Sequence, residues 1–490
     1  MRTGQQYLQS LADGRTVIIG GARVEDVTRD PAFEGIARTV ATMYDVAADP
    51  SNGMIYTSPE TGKEANKVFM IPRSREDLAE RRLAISTWAE ITKGFVGRSP
   101  DHVGGFLAGF ASSPETFDKG GRPFGQNISR LYRQLLDESL FVTYVIIPPQ
   151  FDRSVTAHGW NEELLQVGVL EERAGGIVVR GAQMLGTSTA VSDWLFVSCI
   201  RPLAPQDERY AISFAVPVNA KGLKMYCRRP YATSQPSTFD YPLSTRFDES
   251  DAFIVFDDVF VPWENVFVYR DGDQLRRQFF DTAAHVLGNT QAQIRLIAKM
   301  KFILGVARRI TQVNRIDRFP AVQEKLGDLA SLAAIVEGMV LASEATCTMD
   351  RNGVAKPNPR FLYGAMGLQA ELYPRAILLL RELAGGGVLQ LPASYRDLTS
   401  DLSRADMERY MRSPNTASQD RIKLFKLAWD IVGSEFGGRQ LQYEMFYTGG
   451  PFVVKGYAFN EYGYDEALHS LESFLNSYGL PEVHSPRSAD

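Results

Sequence analysis

The order of hydrophobic patterns predicts an α+β protein: a helical first part, a compact β block, then a long helical second part. Residues 1–140 carry apolar residues at helical spacing. From about 141 to 270 they give way to short runs rich in Val, Ile, Phe and Tyr, divided by turn residues. From 271 to 490 long helical patterns return. This is not the βαβ alternation of a parallel sheet. At 44% hydrophobic and 11% aromatic, the 490 residues suffice for a sizeable core.

The first region contains a clear helix start. Ser74 with Asp77 three residues on forms a capping box variant, and Leu78, Ile85, Trp88 and Ile91 follow at helical spacing. The helix ends near Gly97-Arg98-Ser99-Pro100-Asp101-His102, and Gly104-Gly105-Phe106 reads as the next turn. In the β block the expected strands are Leu165–Glu171, Gly176–Met184, Trp194–Ile200, Tyr210–Val218, Gly222–Arg228 and Ala252–Val261. Turns are expected at Ala174-Gly175-Gly176, Pro202–Asp207 and Asn219–Gly222. In the last region Arg295–Val306, Gln323–Thr348 and Arg421–Phe436 read as helices. Gly385-Gly386-Gly387 reads as a helix end. Gly433–Arg439 and Thr448-Gly449-Gly450-Pro451 are glycine-rich breaks, where a backbone can approach something flat or phosphorylated. The tail from His484 to Asp490 is polar and expected to fray. These boundaries give three domains: 1–140, 141–270 and 271–490.

Composition excludes several classes. Net charge is −5 with no long basic run, which argues against nucleic-acid binding. No stretch of about 18 apolar residues predicts a membrane span, and Met1–Leu8 lacks an apolar signal core. Cys199, Cys227 and Cys347 are odd in number and far apart, so neither a disulfide framework nor a cysteine metal site is expected. A reducing cytoplasm follows. The five histidines, His102, His158, His285, His469 and His484, are too dispersed for a metal site. There is no G-x-G-x-x-G and no Walker A sequence, and no G-x-S-x-G elbow. Asp257-Asp258 reads as a pair of solvated acids at a strand end.

Arg98 and His102 are the leading site candidates. On a helix they would stand at i and i+4, on one face, where they could bind a phenolate or the electron-rich edge of a flavin. A single histidine is more often structural than catalytic; the adjacent arginine changes that balance. Gln150-Phe151-Asp152-Arg153, after Pro148-Pro149, reads as an entry loop at the mouth of the β block.

Several ordered segments together resemble one family. They are Arg2-Thr3-Gly4-x-x-Tyr7-Leu8, Gly97–Asp101, Tyr241–Glu249, Phe256–Glu264 and Gly433–Arg439. Over nearly its whole length the chain resembles the oxygenase component of two-component, reduced-flavin-dependent 4-hydroxyphenylacetate 3-hydroxylases. The resemblance implies an acyl-CoA dehydrogenase-like fold, with a helical N-terminal domain, a middle β-barrel or sandwich and a C-terminal four-helix bundle. It implies a homotetramer, FAD bound as FADH2 from a separate flavin reductase, and molecular oxygen as co-substrate. The implied reaction is ortho-hydroxylation of a phenol through a flavin C4a-hydroperoxide.

By the same resemblance Arg98 lies near flavin and substrate phenol, with His102 and Tyr144 as its catalytic companions. Gln150, Arg153, Thr187 and Gly450-Pro451-Phe452-Val453 match flavin-contacting segments. Cys199 matches a strand lining the substrate pocket, and Pro202–Arg209 a loop folding over substrate. The typical family member has Tyr where this chain has His102, and His where it has Tyr144; the pair is exchanged here. An acyl-CoA dehydrogenase, a 4-hydroxybutyryl-CoA dehydratase or a non-catalytic flavin-binding subunit could share the scaffold.

Overall fold

The chain begins with a reciprocal cap: the Thr3 hydroxyl accepts from the Gln6 amide while the Gln6 side chain accepts from the Thr3 amide. This starts α1 (Gly4–Ser10) in a computed structural model that describes residues 1–119, 121–231 and 237–480. Gly4 lies against α2 (Glu34–Ala48), where a Cβ would come within 2.4 Å of the Ala41 carbonyl oxygen. Arg2 pairs with Asp193 at 2.6 Å, and the Tyr7 hydroxyl donates to the Val191 carbonyl at 2.6 Å. The opening motif thus fastens the N-terminus to the middle of the chain.

Two short hairpins follow, β1 (Val17–Ile19) with β2 (Ala22–Val24), and β3 (Ile55–Thr57) with β4 (Glu64–Asn66). The capping box at Ser74 and Asp77 starts α3 (Arg75–Thr92) as the sequence predicts. Leu78, Ile85 and Trp88 are buried along it, and the indole donates to the Met43 carbonyl at 2.8 Å. The helix ends at Lys93 in the left-handed conformation (φ 51°). After the Gly97–Ser99 link comes α4 (Pro100–Ala111), with Pro100 in its first turn.

Gly104-Gly105-Phe106, a turn by its sequence, is instead the middle of α4. Its glycines serve close packing. A Cβ on Gly104 would stand 2.4 Å from the Phe69 ring, and one on Gly109 2.2 Å from the Ala284 amide. α5 (Gly125–Glu138) closes the region.

The middle of the chain forms β5 (Val142–Val145), β6 (Gly168–Arg173), β7 (Gly176–Thr187), β8 (Trp194–Val197), β9 (Ile212–Pro217), β10 (Leu223–Cys227), α6 (Ser244–Phe247), β11 (Asp251–Pro262) and β12 (Val266–Tyr269). They build two sheets, ordered β2-β1-β10-β11-β7-β6 and β12-β9-β8-β5, and neither closes into a barrel among the described residues. β1 runs parallel to β10, so the N-terminal hairpin extends the larger sheet. β5, missed by the sequence reading, pairs in parallel with β8.

Asp257 and Asp258 also differ from expectation. They lie inside β11, at a bulge where Asp258 takes φ 55°. They are exposed and ion-paired, Asp257 with Lys224 at 2.7 Å and Asp258 with Arg180 at 2.6 Å.

After α7 (Gly272–Arg277) comes a bundle of α8 (Ala284–Val313), α9 (Pro320–Ala345), α10 (Pro359–Ala384) and, past α11 (Arg404–Tyr410), α12 (Ser418–Val432). Gly385 caps α10 as expected. The expected helix Arg421–Phe436 is broken. Gly433 lies against the Trp429 ring and the Ser434 hydroxyl caps α13 (Glu435–Phe446). α14 (Pro451–Glu461) and α15 (Tyr464–Leu475) end the described chain; the polar tail lies outside the described residues.

Contrary to the sequence reading, α9 is long and apolar enough, by length and composition, to cross a membrane. It packs on α8 and α10 within the bundle, and only 28% of its most apolar stretch is buried in the protomer. The acyl-CoA dehydrogenase-like order of helices, sheets and bundle stands.

Candidate active site

The Gly97–Ser99 link has no helix or strand to hold it, and Glu249 does so instead. Its Oε1 accepts from the Gly97 amide at 2.7 Å and the Arg98 amide at 2.5 Å. Its Oε2 accepts from Arg439 at 2.9 Å. The same guanidinium donates to Asp251 at 2.7 and 3.1 Å, and Asp251 also accepts from the Thr187 hydroxyl at 2.7 Å. One buried ion network therefore joins α13, the start of β11, the end of β7 and the turn before α4.

The turn aims Arg98 into a cage of tyrosines. Its Cζ lies 4.1 Å from the Tyr447 ring centroid, 5.1 Å from Tyr144 and 5.6 Å from Tyr443. Nη2 donates to the Tyr447 carbonyl at 3.1 Å, while Nη1 is buried without a partner. Burial works against the charge of Arg98, but the three tyrosines and Glu249 outweigh it and hold the guanidinium protonated. The side chain is thus no loose turn residue.

His102 stands in the first turn of α4, so it and Arg98 do not share a helix face; they meet through the tyrosines instead. The imidazole packs 5.4 Å from Tyr144, 5.6 Å from Tyr447 and 5.3 Å from Phe106. Its Nδ1 faces Gln291 Oε1 at 3.2 Å, and its Nε2 is buried without a partner. Burial and the Arg98 charge press its pKa well below the usual histidine value, so the ring is neutral. Beside it burial pushes the Asp101 carboxyl up to about 6, against hydrogen bonds from Ser99 and Gln291.

Arg98, His102 and Tyr144 are therefore brought together. Thr187 reaches them through Asp251, Arg439 and Glu249. Gln150 and Arg153 lie on an exposed segment after β5. Gly450-Pro451-Phe452-Val453 starts α14 just beyond Tyr447, with Phe452 largely exposed. Cys199 is buried beyond β8, with Gln166 Nε2 at 3.7 Å from its sulfur and burial pushing the thiol up to about 11. Among the described residues no hydrogen bond or ring contact joins Gln150, Arg153 or Cys199 to the Arg98 cluster.

Sequence reasoning missed Tyr443, Tyr447, Gln291 and the roles of Glu249 and Arg439. A signal existed for each: two tyrosines four apart on a helix, a polar run from Asn289 to Gln293 in a buried helix, and two charged residues closing recognised motifs.

Two family models cover nearly the whole chain: the 4-hydroxyphenylacetate 3-hydroxylase N-terminal model over residues 3–268, and its C-terminal counterpart over 275–476. The 4-hydroxyphenylacetate 3-monooxygenase oxygenase component of Geobacillus sp. is 31% identical over 488 residues, 99% of this chain and 98% of that protein. The crystal structure of the oxygenase component of 4-hydroxyphenylacetate 3-monooxygenase, complexed with FAD and 4-hydroxyphenylacetate, superposes with a TM-score of 0.92. It is 32% identical and covers 97% of this chain and 99% of that one. An archaeal 4-hydroxybutyryl-CoA dehydratase from N. maritimus shares the fold, with a TM-score of 0.88 at 19% identity, over 100% of this chain and 97% of that one.

The Asp101 environment generates a stability prediction. A carboxyl raised from 3.8 to about 6 favours the folded state when protonated, and that contribution is lost as pH rises from about 4 through 6. At about 1.4 kcal/mol per pH unit, wild type should lose about 2–3 kcal/mol of stability relative to Asp101→Asn between pH 4 and 7. The asparagine carbonyl keeps the bond from Gln291. Unfolding curves at the two pH values measure it, and equal differences at both would refute it.

Proposed function

The chain belongs to the 4-hydroxyphenylacetate 3-hydroxylase family, and on that premise we propose that it hydroxylates a 4-hydroxyphenylacetate-like phenol ortho to its oxygen, as an FADH2-dependent monooxygenase. The observation that carries the reading is the cluster of one charged guanidinium, one neutral imidazole and one phenol: Arg98 and Tyr144, half-buried, and the buried His102. Arg98 Nη1, His102 Nε2 and Tyr443 Oη are buried polar atoms without partners. Such atoms carry a desolvation cost unless a ligand meets them, and donors and an acceptor of this kind fit a phenol beside a flavin.

Thr187, Gln150, Arg153 and Gly450–Val453 would hold the flavin. Reduced FAD, when bound, supplies the electrons that activate molecular oxygen for insertion next to the phenol oxygen. The chain's own groups do the rest. Arg98 stabilises negative charge on the phenol oxygen. His102 and Tyr144 orient that oxygen and handle its proton. Phe106, packed edge-on against Tyr144 at 5.9 Å and Phe279 at 6.0 Å, walls the cluster with apolar surface that excludes water. Cys199 lines the substrate side, and Pro202–Arg209 covers it.

A separate flavin reductase supplies FADH2, since the sequence has no nicotinamide dinucleotide fingerprint. We place the enzyme in the cytoplasm, with all three cysteines as free thiols.

We further propose a homotetramer. α9 exposes Ile335 and Leu341, and the C-terminal arm exposes Phe459, Leu468, Leu471 and Phe474. Apolar surface of this extent is covered by other copies of the chain.

Three outcomes are expected. Purified protein with anaerobically reduced FAD, oxygen and 4-hydroxyphenylacetate or a related phenol should give the catechol, whereas NADH without a reductase should give none; efficient turnover with NADH alone would overturn the two-component reading. Arg98→Ala should lower hydroxylation by roughly 10²-fold or more, by analogy with loss of one oxyanion donor; a folded variant with near wild-type turnover would remove Arg98 from the reaction. Light scattering at micromolar concentration should give four times the 54.6 kDa protomer. An active monomer would contradict the assembly.

A further inference from the structure

The hydrogen-bonding neighbours of His102 determine which ring nitrogen carries its hydrogen. Two polar atoms face Nδ1: Gln291 Oε1 at 3.2 Å and Tyr447 Oη at 3.5 Å. The Tyr447 hydroxyl has a single proton, and the two oxygens it meets besides the ring, the Gly97 carbonyl at 2.6 Å and Gln291 Oε1 at 3.1 Å, both only accept. Its remaining capacity towards Nδ1 is as an acceptor. Gln291 cannot turn its amide nitrogen towards the ring without losing its bonds on the other side. There Nε2 donates to Asp101 Oδ1 at 3.1 Å and Ser99 Oγ at 3.2 Å, while the Ser99 hydroxyl spends its own proton on Asp101. Both atoms that meet Nδ1 are therefore acceptors. A neutral imidazole satisfies them only with its hydrogen on Nδ1, which leaves Nε2 a bare lone pair, buried and unpartnered.

We propose that Gln291 is a positioning residue for hydroxylation: held by Asp101 and Ser99, it fixes His102 as the Nδ1–H tautomer, so that Nε2 accepts the proton of the substrate phenol. This rests on the function proposed above. The step breaks the phenol O–H bond and forms an Nε2–H bond. The negative charge left on the phenol oxygen faces Arg98, and His102 becomes a cation. The same proton returns to that oxygen when the hydroxylated ring loses its ring hydrogen and regains aromaticity. A histidine held in the opposite tautomer would present a hydrogen to the phenol and could not begin this step.

The test separates this proposal from the function it rests on, because the tautomer is read without substrate. Magic-angle-spinning ¹⁵N NMR of the full protein labelled on its five histidines, with His102→Gln to assign the signal, should show His102 neutral with hydrogen on Nδ1. Hydrogen on Nε2 in wild type overturns the proposal even if the enzyme hydroxylates phenols. Gln291→Met keeps the side-chain length but offers no carbonyl. It should move His102 towards the Nε2–H tautomer and cut product formed per reduced flavin consumed by roughly a hundredfold, the lower end of the 10²–10⁴ that a positioned base contributes. A folded Gln291→Met that keeps hydrogen on Nδ1, or keeps wild-type coupling, also overturns it. If no phenol is hydroxylated by wild type under any reduced-flavin supply, the proposed function fails while the tautomer result still stands by itself.

Discussion

The Glu249 carboxylate is the constraint on which the site depends. It grips the consecutive amides of Gly97 and Arg98, at a link between two helices that has no backbone ladder of its own. Ordering one residue costs about 1–2 kcal/mol of backbone entropy, whereas a hydrogen bond to a buried charge contributes about 1.5–3 kcal/mol. Two such bonds exceed the cost for the two residues they fix. Glu249 is itself held by Arg439, which also binds Asp251. Loss of Arg439 would leave the buried Glu249 carboxylate without the guanidinium that pairs with it, a penalty of about 3–5 kcal/mol. The turn is therefore stiff, and Arg98 points where the network places it.

Around that fixed cation the bundle supplies aromatic faces and a second charge network. Tyr443 and Tyr447 stand four residues apart at the end of α13, with rings 5.1 Å apart and nearly perpendicular. Tyr443 lies under Arg439 at 3.7 Å, and Tyr447 lies between Arg98 at 4.1 Å and Arg295 at 4.5 Å. Arg295 is bound by Glu444, which also holds Lys299, all fully buried. Burial opposes the Glu444 charge, but the two cations hold its carboxyl down at about 2; burial lowers Lys299 to about 8. The side chains on either side of the Arg98 guanidinium are thus locked in place before any ligand arrives. Such preorganisation lets a fixed charge act without reorganising at the moment of reaction.

Much of the fold was legible because its signals are local. The capping box at Ser74 needs only residues 74–77, and β-branched runs mark β7 and β11 to within a few residues. Errors arose where a distant contact overrides a local preference. Gly104 and Gly105 break helices in isolation, yet Phe69 and α8 approach so closely that only glycine fits. Asp257 and Asp258 look like a strand end, yet the sheet continues through a bulge. The site divides the same way. Arg98 and His102 were visible as a short cluster, and Tyr144 only through family resemblance. Gln291 and Tyr447 lie 189 and 345 residues from His102. No local pattern pairs them with it, because a helix of the bundle and the end of another carry them to α4.

That distance also bears on the exchanged pair that the family resemblance implies. The order implied for the typical family member puts tyrosine at 102 and histidine at 144. Here the two rings still touch, at 5.4 Å, so the exchange keeps one imidazole and one phenol beside Arg98. It does not keep their supports. Position 144 lies on β5, where the aromatic ring of Tyr144 packs on Phe106 and Arg98. Position 102 lies on α4, within reach of Gln291 and of the Tyr447 hydroxyl. On the function proposed above, a phenol needs no tautomer fixed and would serve on the strand with packing alone. An imidazole has two nitrogens that differ in role, so it needs a partner that tells them apart. The imidazole therefore sits where the bundle offers such a partner, and the phenol, which has no such requirement, sits on the strand.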